Sequence, residues 1–318
     1  MKLKSILLKA FFSLIPFVFL FLTSSIAKSQ NKPIWVSLSH DNDILSLNVK
    51  TDRYYSFGAL VEFAQLHKQI DTNQNNFSKW NKLHSVSLGF KAYTPDHYLE
   101  NPLPEQQRPF LNHSFLTLEK MYSNQEVYFS YGLQIGTTEG LFNAGKLQNW
   151  IHDNFSGDVH VDGWENQIEQ RPTLQLLFDW NIKIKDLKNH DLFFGSSQAI
   201  GNLFTFMEPQ LFYRRNISDV IGFLPFEYNQ EANRKLNVEL SIGFRYEFYN
   251  GSLRGDYFNQ VRPELESYIQ KVLFTASGKL RYEWENFSFF YANFFNSKRL
   301  RNDANHIYGS LGMTIRIN

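Results

Sequence analysis

From Leu236 to Tyr249 the chain alternates strictly between two kinds of side chain. Leu236, Val238, Leu240, Ile242, Phe244, Tyr246 and Phe248 share one parity, while Asn237, Glu239, Ser241, Gly243, Arg245, Glu247 and Tyr249 share the other. Val272 to Glu285 repeats the pattern, with Val272, Phe274, Ala276, Leu280, Tyr282 and Trp284 set against Thr275, Ser277, Lys279, Arg281, Glu283 and Glu285. The C-terminus does so again: Leu311, Met313, Ile315 and Ile317 oppose Ser310, Thr314, Arg316 and Asn318. Successive strand side chains point to opposite faces, so each stretch forms a strand with one apolar and one polar side. Strands of soluble sandwiches usually run about five or six residues; these run ten to fourteen. Tilted spans of about 9–11 residues suit a membrane barrel, with charged groups lining a wet interior and aromatic residues at the interfaces.

The same alternation, followed along the chain, predicts strands near 33–41, 54–66, 84–94, 108–120, 125–138, 171–185, 190–200, 203–214, 236–250, 268–284, 287–298 and 304–318. Twelve is an even number, as expected for a bacterial single-chain barrel. The expected fold is therefore all-β, a twelve-stranded antiparallel transmembrane barrel. The polar stretch Asp71 to Lys82 reads as a turn, and Asn216 to Arg234 and Arg254 to Glu266 read as longer loops. With the N-terminus in the periplasm, odd strands run outward. The connection between strands five and six is then extracellular, as are the ends of strands one and three and the start of strand two.

That connection departs from the strand pattern. In Gly145 to Gln167, "GKLQNWIHDNFSGDVHVDGWENQ", Ala144, Leu147 and Ile151 follow helical spacing, with Trp150 beside them, and provide a packing face. Gln148 and His152 lie four apart and share another face. Gly157 can end the helix, with Asp158 just beyond it.

The first 27 residues read as a cleaved secretory signal: Lys2, Lys4 and Lys9, then the apolar run Ala10 to Leu22, then "SIA". A run of 13 residues containing Pro16 is too short for a helical anchor. Residues 28–318 would form the barrel domain, in the bacterial outer membrane. Without the leader, 29 Lys+Arg face 31 Asp+Glu, a net charge of −2, and no basic excess argues for nucleic acid. The chain has no cysteine, so an exported protein must hold together without disulfides.

Several polar groups fall at the expected rim. "HDND" at His40 to Asp43 concentrates carboxylate and amide oxygens that suit Ca²⁺, although such a stretch also reads as a solvated loop, and the spacing is not that of an EF-hand. In "TDRYYSFG" at Thr51 to Gly58, the tyrosine pair alone reads as interface anchoring. Ser56 would need a nearby base to act as a nucleophile, and a polar positioning role suits it better. His152, as a neutral imidazole near pH 7, can remove a proton from water. A zinc site from His152 and His160 is the alternative, weakened by their spacing of eight and the lack of thiols.

Taken together, "NDI…TDRYYSFG", "YTPD" at Tyr93 to Asp96, "LQNWIHDNFSGDVHVDGWENQIEQRP", "GNLF" at Gly201 to Phe204 and "YNGSLRG" at Tyr249 to Gly255 resemble the outer-membrane lipid A 3′-O-deacylase family (LpxR). The likeness spans nearly all of the mature chain in consistent order. It implies a twelve-stranded barrel that hydrolyses the 3′ acyloxyacyl ester of lipid A in the outer leaflet with Ca²⁺, acting as a monomer. Motif by motif, Asn42 and Asp43 match the family's Asn-Asp pair, Ser56 its Ser/Thr and His152 its general base. Gln148 and Asp158 match a Gln and an acidic residue flanking that His, and Asp43 and Asp158 are the expected metal ligands. The family's Lys/Arg pair after "Y-[ST]-P" is replaced by "YTPDHYLENPLPEQQRP", which offers only Arg108.

Two other classes compete. An outer-membrane phospholipase A would share strand count and Ca²⁺, but it needs a His and a nucleophilic Ser two residues apart, and none of the nine His has a Ser at that offset. A structural or channel barrel would use the insertion only to plug or decorate its mouth.

Overall fold

A computed structural model of the protein describes residues 32–46, 54–71, 79–96, 107–124, 126–157, 159–187, 190–216, 235–256, 259–260 and 263–317. The leader expected at 1–27 lies outside these residues, as does the loop expected over Asn216 to Arg234 except for Asn216, which ends a strand. Ile34–Ile317 forms one unit.

Twelve strands close into a barrel: β1 (Ile34–Asn42), β2 (Tyr54–Asp71), β3 (Lys79–Thr94), β4 (Leu111–Ser123), β5 (Val127–Thr138), β6 (Pro172–Leu187), β7 (His190–Gly201), β8 (Phe204–Asn216), β9 (Lys235–Asn250), β10 (Val272–Trp284), β11 (Phe287–Asn296) and β12 (His306–Ile317). Each pairs antiparallel with its chain neighbour, and β1 closes the ring on β12 in the register Ile34↔Ile317 to Asn42↔Gly309. Closure removes every sheet edge, which a bilayer demands because hydrocarbon cannot satisfy unpaired backbone groups. No helix among the described residues is long and apolar enough to cross a membrane.

The alternation predicts the faces correctly. Leu236, Leu240, Ile242, Phe244, Tyr246 and Phe248 are exposed on the outside, whereas Asn237, Ser241 and Glu247 are buried in the lumen. Trp284, Tyr282 and Phe287 form part of an exposed aromatic girdle at the lower end. The lumen is filled. Trp35, Ala64, Leu66, Leu83, Met121, Tyr128 and Phe193 make one buried cluster projecting inward from β1 to β5 and β7. On the far side Arg281, Asn237 and Glu283 are buried as well, with Asn237 Nδ2 donating to Glu283 at 3.2 Å and Arg281 donating to Ser288 at 2.8 Å.

Some boundaries differ from expectation. The turn expected over Asp71 to Lys82 is shorter, because β2 and β3 stay paired down to Asp71↔Lys79. The backbone ladder continues through this polar stretch, where the sequence shows no alternation. Residues 268–271, expected to open the tenth strand, precede it: Pro263–Ser267 is a short 3₁₀ turn and the strand starts at Val272. The loop after β9 is also not irregular throughout. It carries a helical turn, Gly251–Arg254, and a two-residue ladder between Gly255–Asp256 and Asn259–Gln260.

Candidate active site

The upper ends of β1 to β4 build one side of the site. Residues directly opposite across an antiparallel ladder share a face, so the register Asn42↔Phe57, Phe57↔Ala92 and Ala92↔Asn112 carries a single row around the wall. Leu38, Leu88 and Leu118, which share the parity of Asn42, Ala92 and Asn112, are exposed apolar residues. The row therefore lies on the lipid-facing side of the barrel, not in its lumen.

Ser56 reaches the same side through a bulge. Tyr55 pairs with Tyr93 and Phe57 with Ala92, which leaves Ser56 as the extra residue of β2. Its hydroxyl contacts Thr94 Oγ1 at 2.5 Å, and Thr94 shares the outward parity of Ala92. Both hydroxyls are fully buried. The bulge sends Tyr55 inward and Ser56 outward, an inversion that a regular strand could not make between those neighbours and Phe57.

Asp43 follows Asn42 in a short 3₁₀ turn, Asp43–Leu45. Asn42 Oδ1 accepts from Ile44 N at 2.8 Å and Ser46 N donates to Asp43 O at 3.0 Å. Tyr291 of β11 donates to Leu45 O at 2.7 Å, clamping the turn against the outside of the closing seam. Gly309 makes room for it: a Cβ there would stand 2.4 Å from Leu45 O. Asn42 and Asp43 are both buried by this arrangement.

The connection after β5 builds the other side. Instead of rising from the mouth, it folds over the outer wall. Asn112 Nδ2 donates to Phe142 O at 2.5 Å and Leu141 N donates to Ser114 Oγ at 2.9 Å, which bind it to β4. Helix α1 (Ala144–Ile151) then starts under an Asn143 cap, whose Oδ1 accepts from Lys146 N at 2.9 Å. Ala144 and Leu147 pack with Val161 and Trp164 against Phe57, Ala92 and Phe110. Trp150, expected beside this face, is instead 53% exposed, because its direction around the helix points away from the wall.

Gln148 and His152 are 1% and 3% exposed, so the shared face expected from their spacing is the buried one. Trp164 Nε1 donates to Gln148 Oε1 at 2.8 Å. His152 Nδ1 lies 2.7 Å from Val159 O. A carbonyl only accepts, so Nδ1 carries the proton and Nε2 bears the lone pair of the neutral ring. A backbone carbonyl, which no motif specified, thus orients the ring at Nδ1. The helix widens into a π-turn over His152–Ser156, and Gly157 ends it with φ 71. Asp158 lies outside the described residues. His160 pairs with Asp153 at 2.7 Å and the His152 Nδ1 bond goes to Val159, so neither contact is a shared zinc site.

The helix side and the hairpin side meet at Phe57, the residue after Ser56 and the one facing Asn42. The helix side carries a buried imidazole and amide and the hairpin side a buried hydroxyl, amide and carboxylate, residue types suited to polarising a water and holding an ester. No group of three or more His, Cys, Asp or Glu forms a metal cluster among the described residues. The donors present are hard oxygens, namely the Asp43 carboxylate, the Asn42 amide and the Ser56 and Thr94 hydroxyls. This chemistry fits Ca²⁺ and not a thiophilic metal. Thr94, Trp164 and Val159 were missed by motif reasoning; the first two stood in "YTPD" and "DGWENQ", and a carbonyl leaves no mark in a sequence.

Directly behind the wall, the mouth of the lumen holds a different cluster. Arg108 is 1% exposed, its guanidinium over the rings of Tyr54 and Tyr93 at 5.6 and 5.7 Å, and it donates to Ser252 at 3.3 Å. Burial lowers its pKa, with Arg299 acting the same way and Asp303 opposing. Burial raises Asp303 to about 6, against the pull of Arg108. Tyr55 donates to Asp41 at 2.7 Å and packs on Tyr93 and Tyr308. The tyrosine pair is therefore buried and anchors nothing in the interface.

The sequence profile of the family described as outer membrane protein LpxR matches residues 14–317. Among solved structures, LpxR from Salmonella typhimurium superposes with a TM-score of 0.69 at 15% identity, covering 88% of this chain and 99% of that one. The β domain of the Bordetella autotransporter BrkA follows at 0.47, with 7% identity and 89% and 98% coverage. The translocator domain of NalP from Neisseria meningitidis gives 0.43, with 10% identity and 96% of each chain. No curated protein matches the chain in sequence.

Proposed function

Because the chain belongs to the LpxR family of outer-membrane proteins, we propose that it is a lipid A 3′-O-deacylase, hydrolysing the 3′ acyloxyacyl ester in the outer leaflet. One observation carries this reading: the helix bearing Gln148 and His152 packs on Phe57, beside Ser56 and Asn42, on the lipid-facing side of the wall. An ester of an outer-leaflet lipid can reach that seam sideways, without passing through the barrel.

His152 Nε2 takes a proton from a water held in the seam, and the water oxygen attacks the ester carbonyl. The Nδ1–H bond to Val159 O keeps the ring in the required tautomer and steadies the imidazolium that forms. The proton then passes to the departing sugar hydroxyl, so that a free fatty acid and a free hydroxyl result. Gln148, fixed by Trp164, sets the polar wall beside the ring. Ser56, tied to Thr94, positions the ester rather than attacking it. Asp43, with neutral oxygens around it, would hold Ca²⁺, which when bound supplies Lewis-acid stabilisation of the oxyanion, worth several kcal/mol in order of magnitude.

A phospholipase A reading lacks its His and Ser pair. A channel is disfavoured by the lumen, where Trp35, Leu83, Phe193 and Arg281 are buried side chains filling the bore. The deciding experiment is mass spectrometry of lipid A from cells expressing the protein. The expected result is loss of the 3′ acyloxyacyl group with wild type and a full acyl count with His152→Ala. Unchanged lipid A with well-folded wild type would overturn the proposal. EGTA should abolish activity and Ca²⁺, not Mg²⁺, restore it; activity in EGTA would remove the metal alone.

A further inference from the structure

The insertion has a second face. On the side of α1 away from the wall, Lys146, Asn149, Trp150 and Asp153 recur at helical spacing. Across from them runs the return segment Val161 to Gln167. The two enclose an open cavity of about 530 Å³. His152 and Gln148 are not among its lining residues, so this cavity is distinct from the hydrolytic seam.

Its chemistry is specific. Trp150 offers an indole that is 53% exposed on a helix whose other large side chains are packed. Trp164 backs the cavity, held by its bond to Gln148. Asp162 and Glu165 stand exposed at the rim, and Glu165 already accepts from Gly163 N at 3.1 Å and Asn166 Nδ2 at 3.4 Å, which holds its carboxylate in place. Gln167 contributes a buried Oε1 with no hydrogen-bond partner among the described residues. A buried acceptor left unpaired calls for a donor from outside the chain. Aromatic faces with carboxylate and amide acceptors suit a ligand with an apolar C–H face and a girdle of hydroxyl donors.

Charge narrows the class. Lys146 is opposed by Asp162 and Glu165, while Asp153 is already paired with His160. The excess is negative, so a phosphorylated or carboxylated ring would be repelled. The volume lies within the range of small-ligand sites, about 300–1,000 Å³.

We propose that this cavity is a saccharide subsite, taking an uncharged pyranose ring of the glycan borne by the outer-leaflet substrate. The proposal rests on the deacylase reading for its choice of glycan, and it places sugar recognition and ester hydrolysis on opposite faces of one helix. Trp150 stacks on the C–H face of the ring, and Asp162 and Glu165 accept from its hydroxyls.

The test uses full-length protein in detergent micelles and the lipid-free core oligosaccharide released from rough lipopolysaccharide by mild acid. Saturation-transfer NMR should show transfer to ring C–H protons of neutral hexoses. Trp150→Ala should reduce it at least fivefold and Asp162→Asn with Glu165→Gln should weaken it, while His152→Ala should bind as wild type does. No transfer to wild type, or transfer that survives Trp150→Ala, would overturn the subsite. The hydrolytic reading is scored apart: protein that binds oligosaccharide but leaves lipid A intact keeps the subsite and loses the deacylase.

Discussion

The barrel wall at its upper end has a polar cluster on each side, and the two differ in kind. On the lumen side Arg108, Asp303, Arg299, Glu247, Tyr54 and Tyr93 are locked into one another: Arg299 meets Glu247 at 3.3 Å, and Asn250 donates to the same carboxylate at 2.8 Å. On the lipid side Ser56, Asn42 and Asp43 are buried at the ends of β1 and β2, and the helix segment carrying the buried Gln148 and His152 packs on Phe57 beside Ser56. Buried polar groups in the lumen complete the barrel, because charges there need partners. On the lipid side such groups interrupt a face that elsewhere presents exposed apolar side chains, and nothing in the barrel's closure requires them there. Polarity in the wrong solvent marks the site better than polarity as such.

Substitutions on the two sides should separate stability from chemistry. The largest effect expected is from His152→Ala, a loss of deacylation of about 10²–10⁴-fold with an intact barrel, judged by heat-modifiable gel mobility alongside lipid A mass spectrometry. Arg108→Met should act the other way. Removing it takes the donor from Ser252 and the cation from the Tyr54 and Tyr93 rings and should cost about 2–4 kcal/mol of stability in urea unfolding from micelles. Activity lost in that variant at full stability would make the inner cluster part of the machinery and collapse the distinction.

Gly309→Ala sharpens the comparison, because it pushes the turn bearing Asp43 off the outer wall without touching the lumen. An overpacking cost of about 1–3 kcal/mol is expected, with activity lost beyond what the unfolding curve explains; equal activity would free the turn of any part in the reaction.

The smallest effect concerns Asp303. Its folded pKa of about 6 exceeds the ordinary carboxylate value of 3.8. Between these values the folded protein binds more protons than the unfolded one, so stability should rise as pH falls through 6 and level off below 4. The change should be at most about 3 kcal/mol and should vanish in Asp303→Asn. An unchanged pH profile in that variant would assign the titration elsewhere.

Much of the fold was legible because a barrel strand must answer two solvents at once. Leu236 to Tyr249 could not alternate so strictly unless one face met lipid and the other a polar interior, and twelve such runs leave little choice of architecture. Within the insertion, helical spacing alone put Gln148 beside His152 and exposed neither to doubt. Trp150 was misplaced by the same reasoning, since periodicity orders the residues around a helix but leaves open how wide the packed stripe is. Nothing in the sequence around Arg108 announced its ring partners Tyr54 and Tyr93, which come from β2 and β3.

The sequence by itself determined the strands, their faces, their number and the spacing of the candidate groups, because each depends on neighbours a few residues apart. Only the tertiary structure decided which side of the wall the insertion lies on. That choice rests on Phe57, Phe110, Ala144 and Trp164 meeting from four distant stretches and on a one-residue bulge that turns Ser56 toward lipid. Contacts between remote segments and a single slip in register change no local pattern, so no periodicity in the chain could announce them.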